Sequence, residues 1–242
     1  MLEYLVLFAA AFIVAVISGA AGFGGALLLL PLLVQTVGVI HAVPLLTIVQ
    51  LIGNLSRIAF GFSQIQWKPV VLFLSGAIPF SILGAVSFVE LPKELISRGI
   101  GLAILFFVSL KYWGILNSKA TPVWLIAGGG FTGYLSRLVG SAGPLGAAIF
   151  LSLGLPPVAY IASEGATALV MHGVKILTYQ QYISFDQSMW VLAVIMGIAM
   201  IAGSWTAKRV IERIPQKKFE RYVAILLIGI AGVHDNSWVI VS

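Results

Sequence analysis

Five candidate site residues with ionisable side chains lie inside apolar stretches of this 242-residue sequence, where a charge is costly to bury. In a membrane helix that cost is at least about 2.5 kcal/mol, so each such group is expected to bind a ligand or a partner. Basic types outnumber the single acidic one, which favours an anionic ligand. The five are Arg57, Arg137, Glu164, His172 and Lys175.

Two polar pairs have the i, i+3 spacing that places side chains on one face of a helix. They are Asn54 with Arg57 and His172 with Lys175, at matching positions of the two sequence halves. We predict that donors from both pairs surround an anion. The alternative is that Arg57 and Lys175 extend to the membrane surface and bind nothing. Two more polar residues on the Asn54 helix are candidate lining residues or helix cross-links: Thr47 and Gln50.

Arg137 lies one turn before a glycine cluster and near Ser141. A guanidinium binds planar oxygen pairs through two hydrogen bonds, so Arg137 is a candidate substrate contact. An ion pair with Glu164 or an interfacial position is the alternative.

Glu164 and His172 are the candidate proton carriers, because burial disfavours a charged carboxylate and histidine changes charge near neutral pH. A salt bridge from Glu164 to Arg137 or Lys175 is the alternative there.

Glycine clusters precede two unusually short apolar stretches, Ala26 to Val37 and Leu145 to Leu153. Each glycine weakens a helix by about 1 kcal/mol, so we expect helices to break at the clusters. Half-helices beginning near Gly25 and Gly146 would direct unpaired N–H groups towards a common site, which suits an anion. Close helix packing through small residues is the alternative. The cluster residues assigned to the predicted site are Gly22, Gly24, Gly25, Gly140, Ser141 and Gly143.

Motifs of common enzyme classes are missing from the sequence. It contains no P-loop, no HExxH, no GxSxG and no paired-carboxylate motif in its charged loops. It also has no cysteine, which excludes thiolate metal ligands and disulfides. We therefore predict that the chain is not an enzyme and uses no cofactor and no metal.

Composition identifies the elements that must position these residues. The chain is 60% hydrophobic and only 9% charged, against roughly 25% charged in soluble domains. The net charge of +6 lies mostly in short loops, so membrane orientation explains it better than a nucleic-acid partner. We predict an all-α, polytopic transmembrane protein of about 8–10 helical segments. The apolar stretches run Leu2 to Ser18, Ala26 to Val37, Ala42 to Phe62, Pro69 to Val89, Leu95 to Leu116, Pro122 to Val139, Leu145 to Leu153, Pro157 to Tyr179, Met189 to Ala207 and Phe219 to Val233.

The two halves of the chain repeat the same series of landmarks. The glycine clusters align, Gly84 falls opposite Gly203, and Pro92 falls opposite Pro215. We predict two repeats, residues 1–118 and 119–242. Chance similarity between two apolar sequences is the alternative.

Loop charge indicates that the repeats have opposite orientations. The loop from Lys208 to Arg221 holds six basic and two acidic residues, which predicts a cytoplasmic position. Its first-half counterpart, Glu90 to Arg98, holds two of each sign, and Lys68 corresponds to Asp186. This reversal is typical of inverted-topology repeats. It predicts that both termini lie outside the cytoplasm.

The segment GAAGFGGALLLLPLL from Gly19 to Leu33, the second cluster GSAGPLG from Gly140 to Gly146 and the duplicated layout together resemble the sulfite exporter TauE/SafE family. The resemblance spans essentially the whole chain. It implies a transporter of the bacterial inner membrane that exports sulfite, sulfoacetate or a related organosulfonate or organic anion, driven by an ion gradient. One repeat would move against the other around a midplane site, giving alternating access.

We therefore predict a secondary transporter that exports a small anion, surrounded by membrane lipid, with protons as the candidate coupling ion. An anion channel is one alternative, and it would differ by flux that neither saturates nor responds to a proton gradient. A non-transporting membrane subunit or intramembrane enzyme is the other alternative. A homodimer is among the assemblies to consider.

Overall fold

A computed structural model describes residues 2–23, 25–86, 121–139, 143–179 and 187–236, and that part of the chain contains helices and turns but no strand. The all-α prediction is confirmed. The helices are α1 (Leu2–Ala21), α2 (Gly25–Gly61), a 3-10 helix (Phe62–Gln64), α3 (Trp67–Val86), α4 (Pro122–Val139), α5 (Gly143–Leu151), α6 (Pro157–Tyr179), α7 (Gln187–Ile211) and α8 (Gln216–Asn236).

Most predicted helical segments correspond to one of these helices. Helices α4 and α6 have the predicted bounds, and α1 and α7 are a few residues longer than predicted. The predicted segment Leu95 to Leu116 lies outside the described residues. Three described stretches are long and apolar enough to cross a bilayer as helices: Tyr4–Ala21, His41–Gln64 and Gln187–Ile211.

Helix α2 is two helices joined at a break. Gly38 has φ +77° and ψ 162°, which is not helical and which only glycine adopts at little cost. The break ends the predicted short segment Ala26 to Val37. In the second half, α5 has nine residues, or roughly 14 Å at 1.5 Å per residue, and Gly154 follows it with φ +61°. Both segments are shorter than the roughly 30 Å apolar layer of a bilayer.

The residues separate into two compact units. The first combines Met1–Ile65 with Ile161–Ile214, and so contains α1, α2, α7 and most of α6. In this unit α7 packs against both α1 and α2. The buried side chains that join these three helices include Leu7, Ala11, Leu29, Leu33, Leu45, Val49, Ala193 and Met196.

The second unit combines Gln66–Tyr160 with Pro215–Ser242. Here α3 packs along α4, α4 contacts α5, and α5 contacts α8. Phe73 and Phe150 meet edge to face with ring centroids 5.5 Å apart. Tyr160 makes the same kind of contact with Phe219, also at 5.5 Å, and donates a hydrogen bond to the carbonyl of Ala147 over 3.2 Å. Each unit therefore has its own core.

Helix α3 and helix α4 touch through glycine. A β-carbon at Gly129 would overlap the carbonyl oxygen of Phe73, and one at Gly133 would overlap that of Ala77. In the first unit, a β-carbon at Gly203 of α7 would lie 2.6 Å from the carbonyl oxygen of Phe12 in α1. Such backbone approach is the usual means by which membrane helices associate, since lipid supplies little hydrophobic driving force.

Each compact unit draws helices from both halves of the sequence. Helix α1 packs on α7, while α4, the predicted counterpart of α1, packs on α3, the predicted counterpart of α7. The compact units are thus a different division from the repeats 1–118 and 119–242. The repeat boundaries stay a prediction.

Candidate functional site

Four polar side chains follow one face of α2 in the apolar stretch His41–Gln64. They are spaced three or four residues apart, which stacks them along the helix. All four are buried, with 2% of Thr47, 6% of Gln50, 1% of Asn54 and 8% of Arg57 exposed. A buried polar face on an apolar helix needs partners from elsewhere in the chain or from a ligand.

Arg57 is paired with an acidic residue from the second half of the sequence. Its Nη1 donates to Oε2 of Glu164 in α6 over 3.1 Å, and Glu164 is itself only 4% exposed. The second guanidinium nitrogen, Nη2, donates to Oδ1 of Asn54. The backbone of α6 approaches α2 here, since a β-carbon at Gly165 would lie 3.4 Å from Cβ of Arg57. The pair is neutral as a whole, which offsets part of the cost of burying each charge.

Two buried side-chain amides on the same face of α2 each have a nitrogen atom without a described hydrogen-bond partner. Gln50 Nε2 and Asn54 Nδ2 have no hydrogen-bond partner among the described residues. An unsatisfied buried donor costs about 1–3 kcal/mol, so these groups are expected to bind something that accepts hydrogen bonds. Their positions four residues apart place them about 6 Å from each other along the helix.

Gln50 lies against the beginning of α2. A β-carbon at Gly25, the first residue of that helix, would lie 2.5 Å from Gln50 Nε2. The first N–H groups of any helix lack acceptors within the helix, and they carry the positive end of its dipole. Glycine at position 25 therefore leaves room for a side-chain donor beside backbone donors.

The α6 side of this cluster is also polar. Ser163 is fully buried, and Thr167 is 3% exposed. The Thr167 hydroxyl donates to the carbonyl oxygen of Glu164 over 2.8 Å, so it satisfies itself within the helix. Among the described residues, the guanidinium and the unpartnered amide nitrogens of the cluster lie on α2, and α6 supplies the carboxylate.

The first unit holds several of the residues that the sequence predicts for the site. Asn54, Arg57 and Glu164 form one buried cluster, while Gly25 begins α2 beside Gln50. Gly22 lies in the turn between α1 and α2 with φ +87°. His172 lies two turns beyond Glu164 on α6 and is partly buried. In the second unit, Gly143 is the first residue of α5.

Other predicted site residues lie outside the description. Gly24, Gly140 and Ser141 are not among the described residues, and neither are the side chains of Arg137 and Lys175. The predicted pairing of Asn54 and Arg57 with His172 and Lys175 around one anion therefore stays a prediction.

One alternative considered from the sequence is wrong for Arg57. Arg57 does not extend to the membrane surface, because its guanidinium is buried against Glu164. Glu164 pairs with Arg57, which was not predicted from the sequence as its partner. The suggested pairs with Arg137 or Lys175 stay predictions, because those side chains lie outside the description. From the sequence, Gln50 is predicted only as a lining residue or a helix cross-link, but its buried Nε2 has no hydrogen-bond partner among the described residues. Its position one turn before Asn54 was the sequence feature that could have indicated this role.

The described residues contain no group of three or more His, Cys, Asp or Glu side chains that could hold a metal ion. The donors at the cluster are amide, guanidinium and backbone N–H groups, which bind oxygen atoms of anions and not cations. The arrangement therefore suits an anionic ligand.

Comparison with known families gives a match that covers nearly the entire chain. The model of the sulfite exporter TauE/SafE family matches residues 7–233. The chain belongs to the sulfite exporter TauE/SafE family. No curated protein and no solved structure gives a significant match. Membership of this transporter family, together with the long apolar helices, makes this TauE/SafE chain an integral membrane protein.

Proposed function

We propose that this TauE/SafE protein is a secondary transporter that exports a small oxyanion such as sulfite, sulfoacetate or a related organosulfonate. The observation that carries the proposal is the pair of unpartnered amide donors, Gln50 Nε2 and Asn54 Nδ2, buried beside Arg57. A sulfur oxyanion presents several acceptor oxygens and no hydrogen-bond donor that the cluster would need to accept. Family membership supports the same class of substrate.

The proposed binding site lies where the beginning of α2 meets the polar face that runs from Gln50 to Arg57 on the second segment of the same helix. Backbone N–H groups near Gly25 and the Gln50 amide would bind one side of the anion, and Asn54 with Arg57 would bind the other. Charge-assisted hydrogen bonds are about twice as strong as neutral ones, so an anion gains more from these donors than a neutral solute does. Arg137, Gly140, Ser141, Gly143, His172 and Lys175 are proposed to contribute from the second repeat.

We further propose alternating access between two inverted repeats in the bacterial inner membrane, with both termini extracytoplasmic. Support comes from the exchanged packing, in which α1 contacts α7 and its counterpart α4 contacts α3. The short segments after Gly22 and before Gly154 add support, since interrupted helices at corresponding positions are the usual pointer to a transporter binding site.

Removal of the Gln50 amide is expected to weaken anion binding. Gln50→Leu eliminates one donor, and the loss of a hydrogen bond to a charged group costs about 1.5–3 kcal/mol, which is roughly a 10- to 150-fold increase in Kd. The measurement is sulfite titration of purified protein in detergent by isothermal calorimetry. Gln35→Leu is the matched control, because Gln35 lies exposed on the segment of α2 before the break at Gly38.

Gly25→Ala tests the same site without removing a donor. The new β-carbon would push the Gln50 amide aside, so sulfite binding should weaken while thermal stability changes little. Gly173→Ala is its control, since nothing lies within 4 Å of a β-carbon there. Unchanged sulfite affinity in both Gln50→Leu and Gly25→Ala would reject this placement of the anion.

Flux measurements address transport itself. Proteoliposomes containing the wild-type protein should release sulfite at a rate that saturates with concentration, as carrier sites do. Flux that rises linearly with sulfite would support a channel, and no flux of sulfite, sulfoacetate or methanesulfonate would contradict the transport proposal.

A further inference from the structure

We propose that the Arg57–Glu164 pair binds a proton and a monovalent anion together, so that one proton moves across the membrane in the same direction as each anion. This inference rests on the proposed anion site and names its coupling ion and stoichiometry. With this coupling, export requires an outward anion gradient larger than the inward proton gradient. It follows from the charge of the cluster and from its burial.

With both side chains ionised, the empty cluster is neutral. Arg57 contributes one positive charge and Glu164 one negative charge, and their side chains are joined over 3.1 Å with 7% and 5% of each exposed. An anion that approaches Arg57 in this state meets the carboxylate of Glu164 at the same guanidinium. Two negative groups would then share one positive charge in a site of low polarity, which is unfavourable.

A proton on a Glu164 carboxylate oxygen removes this competition. The cluster then carries one net positive charge, and the Nη1 donor no longer faces a charged acceptor. The Asn54 amide is already in place, because its Oδ1 holds the guanidinium while its Nδ2 has no described partner. A monovalent anion bound there returns the cluster to neutrality.

Only the two neutral states of the cluster are suited to reorientation of the binding site from one side of the membrane to the other. These are the empty ion pair and the cluster that holds both proton and anion. Either ligand alone leaves one unbalanced charge, and a single charge at the centre of a membrane helix is costly to bury. The barrier to reorientation is therefore higher for the singly occupied forms, which makes transport of proton and anion obligatory and electroneutral.

The charged and titratable groups near Glu164 can be named for the described side chains of this unit. Among the described side chains of the helices in this unit, Arg57 is the charged group that contacts Glu164. His172 lies eight residues further along α6, while His41 lies near the other end of its segment of α2. On α7, Lys208 and Arg209 lie in the last turn, and α1 adds Tyr4 near its beginning. Among the described side chains, Arg57 alone balances the charge of the Glu164 carboxylate.

Methanesulfonate is the appropriate probe, because its single charge does not titrate in the range used. Between pH 5.5 and 8.5 the wild-type Kd for methanesulfonate should rise with pH, approaching about tenfold per unit where Glu164 is ionised in the free protein. Binding should also take up as much as one proton per anion, measured by calorimetry in buffers of different ionisation enthalpy. Proton release, or no proton exchange at any pH, would overturn the proposal.

Glu164→Gln mimics the protonated carboxyl group. This variant should bind methanesulfonate with a Kd that is independent of pH and at least as low as that of the wild type at pH 5.5. Glu212→Gln is the matched control, because Glu212 pairs with Lys208 at the surface, and it should keep the wild-type pH dependence. A wild-type pH dependence in Glu164→Gln, or no methanesulfonate binding by that variant when folded, would contradict the proposal.

Flux separates this proposal from the general function. In proteoliposomes, outward movement of methanesulfonate should make the interior more alkaline, and a potassium diffusion potential should leave the rate unchanged. Saturable flux without movement of protons would refute the coupling and leave the transport function standing. Proton-linked binding without flux of any tested anion would refute transport.

Discussion

Arg57→Met is expected to lower the free energy of unfolding by about 3–5 kcal/mol, because it leaves the buried Glu164 carboxylate without its partner. The change should be measured by reversible unfolding of purified protein in mixed micelles. Replacement of both members, Arg57→Met with Glu164→Leu, should recover most of this loss, since apolar pairs of similar size often match or exceed a buried ion pair. Anion transport should be absent from both variants.

The surface pair of Lys208 and Glu212 provides the comparison. These side chains are 31% and 37% exposed with 3.4 Å between the charged atoms, so Glu212→Gln should cost less than about 1 kcal/mol. If Arg57→Met costs no more than Glu212→Gln, the Arg57–Glu164 pair is not buried in the folded protein. If the double variant is as unstable as the single one, the loss has another cause than an unpaired carboxylate.

Gly129→Leu is expected to destabilise the second unit strongly. The new side chain would enter the space of the Phe73 backbone, and a backbone cannot move aside as a side-chain tip can. Overpacking typically costs about 1–3 kcal/mol, and this contact should reach or exceed the upper end of that range. The expected result is loss of the monodisperse peak in size-exclusion chromatography and a lower midpoint of thermal unfolding.

Gly229→Leu in α8 is the matched control. Nothing lies within 4 Å of a β-carbon at Gly229, and the residue is exposed. Its replacement removes a weak helix former and should leave stability unchanged or raise it by up to roughly 1 kcal/mol. Equal behaviour of the two variants would show that α3 and α4 do not approach as closely as described.

Helix positions could be predicted well from the sequence where a proline marks the start of the helix. Pro122 and Pro157 begin α4 and α6 at the first helical position, which suits a residue with fixed φ and no N–H donor. The end of α1 was predicted at Ser18 but lies at Ala21, since small residues give no stop signal before Gly22. Helices stop where backbone geometry changes, and hydropathy records that only indirectly.

The candidate site was predictable in its local part. The i, i+3 spacing placed Asn54 and Arg57 on one face, and their side chains are hydrogen-bonded in the structure. The partner of Glu164 was not predictable, because Arg57, Arg137 and Lys175 offered equivalent charges. Which of them reaches the carboxylate depends on how α2 and α6 pack, and periodicity along one helix contains no information about its neighbours.

The first unit brings together the beginning of the chain and a segment made much later. Arg57 and Glu164 are 107 residues apart, so at a synthesis rate of 5–20 residues per second Arg57 waits roughly 5–20 seconds for its counter-ion. Helix α1 likewise precedes α7, its packing partner, by most of the chain. During biosynthesis the nascent membrane helix therefore carries the Arg57 guanidinium before its Glu164 counter-ion has been synthesised. Until α6 has been translated, such a helix must stay within the insertion machinery or at the aqueous surface, where the charge does not enter the lipid.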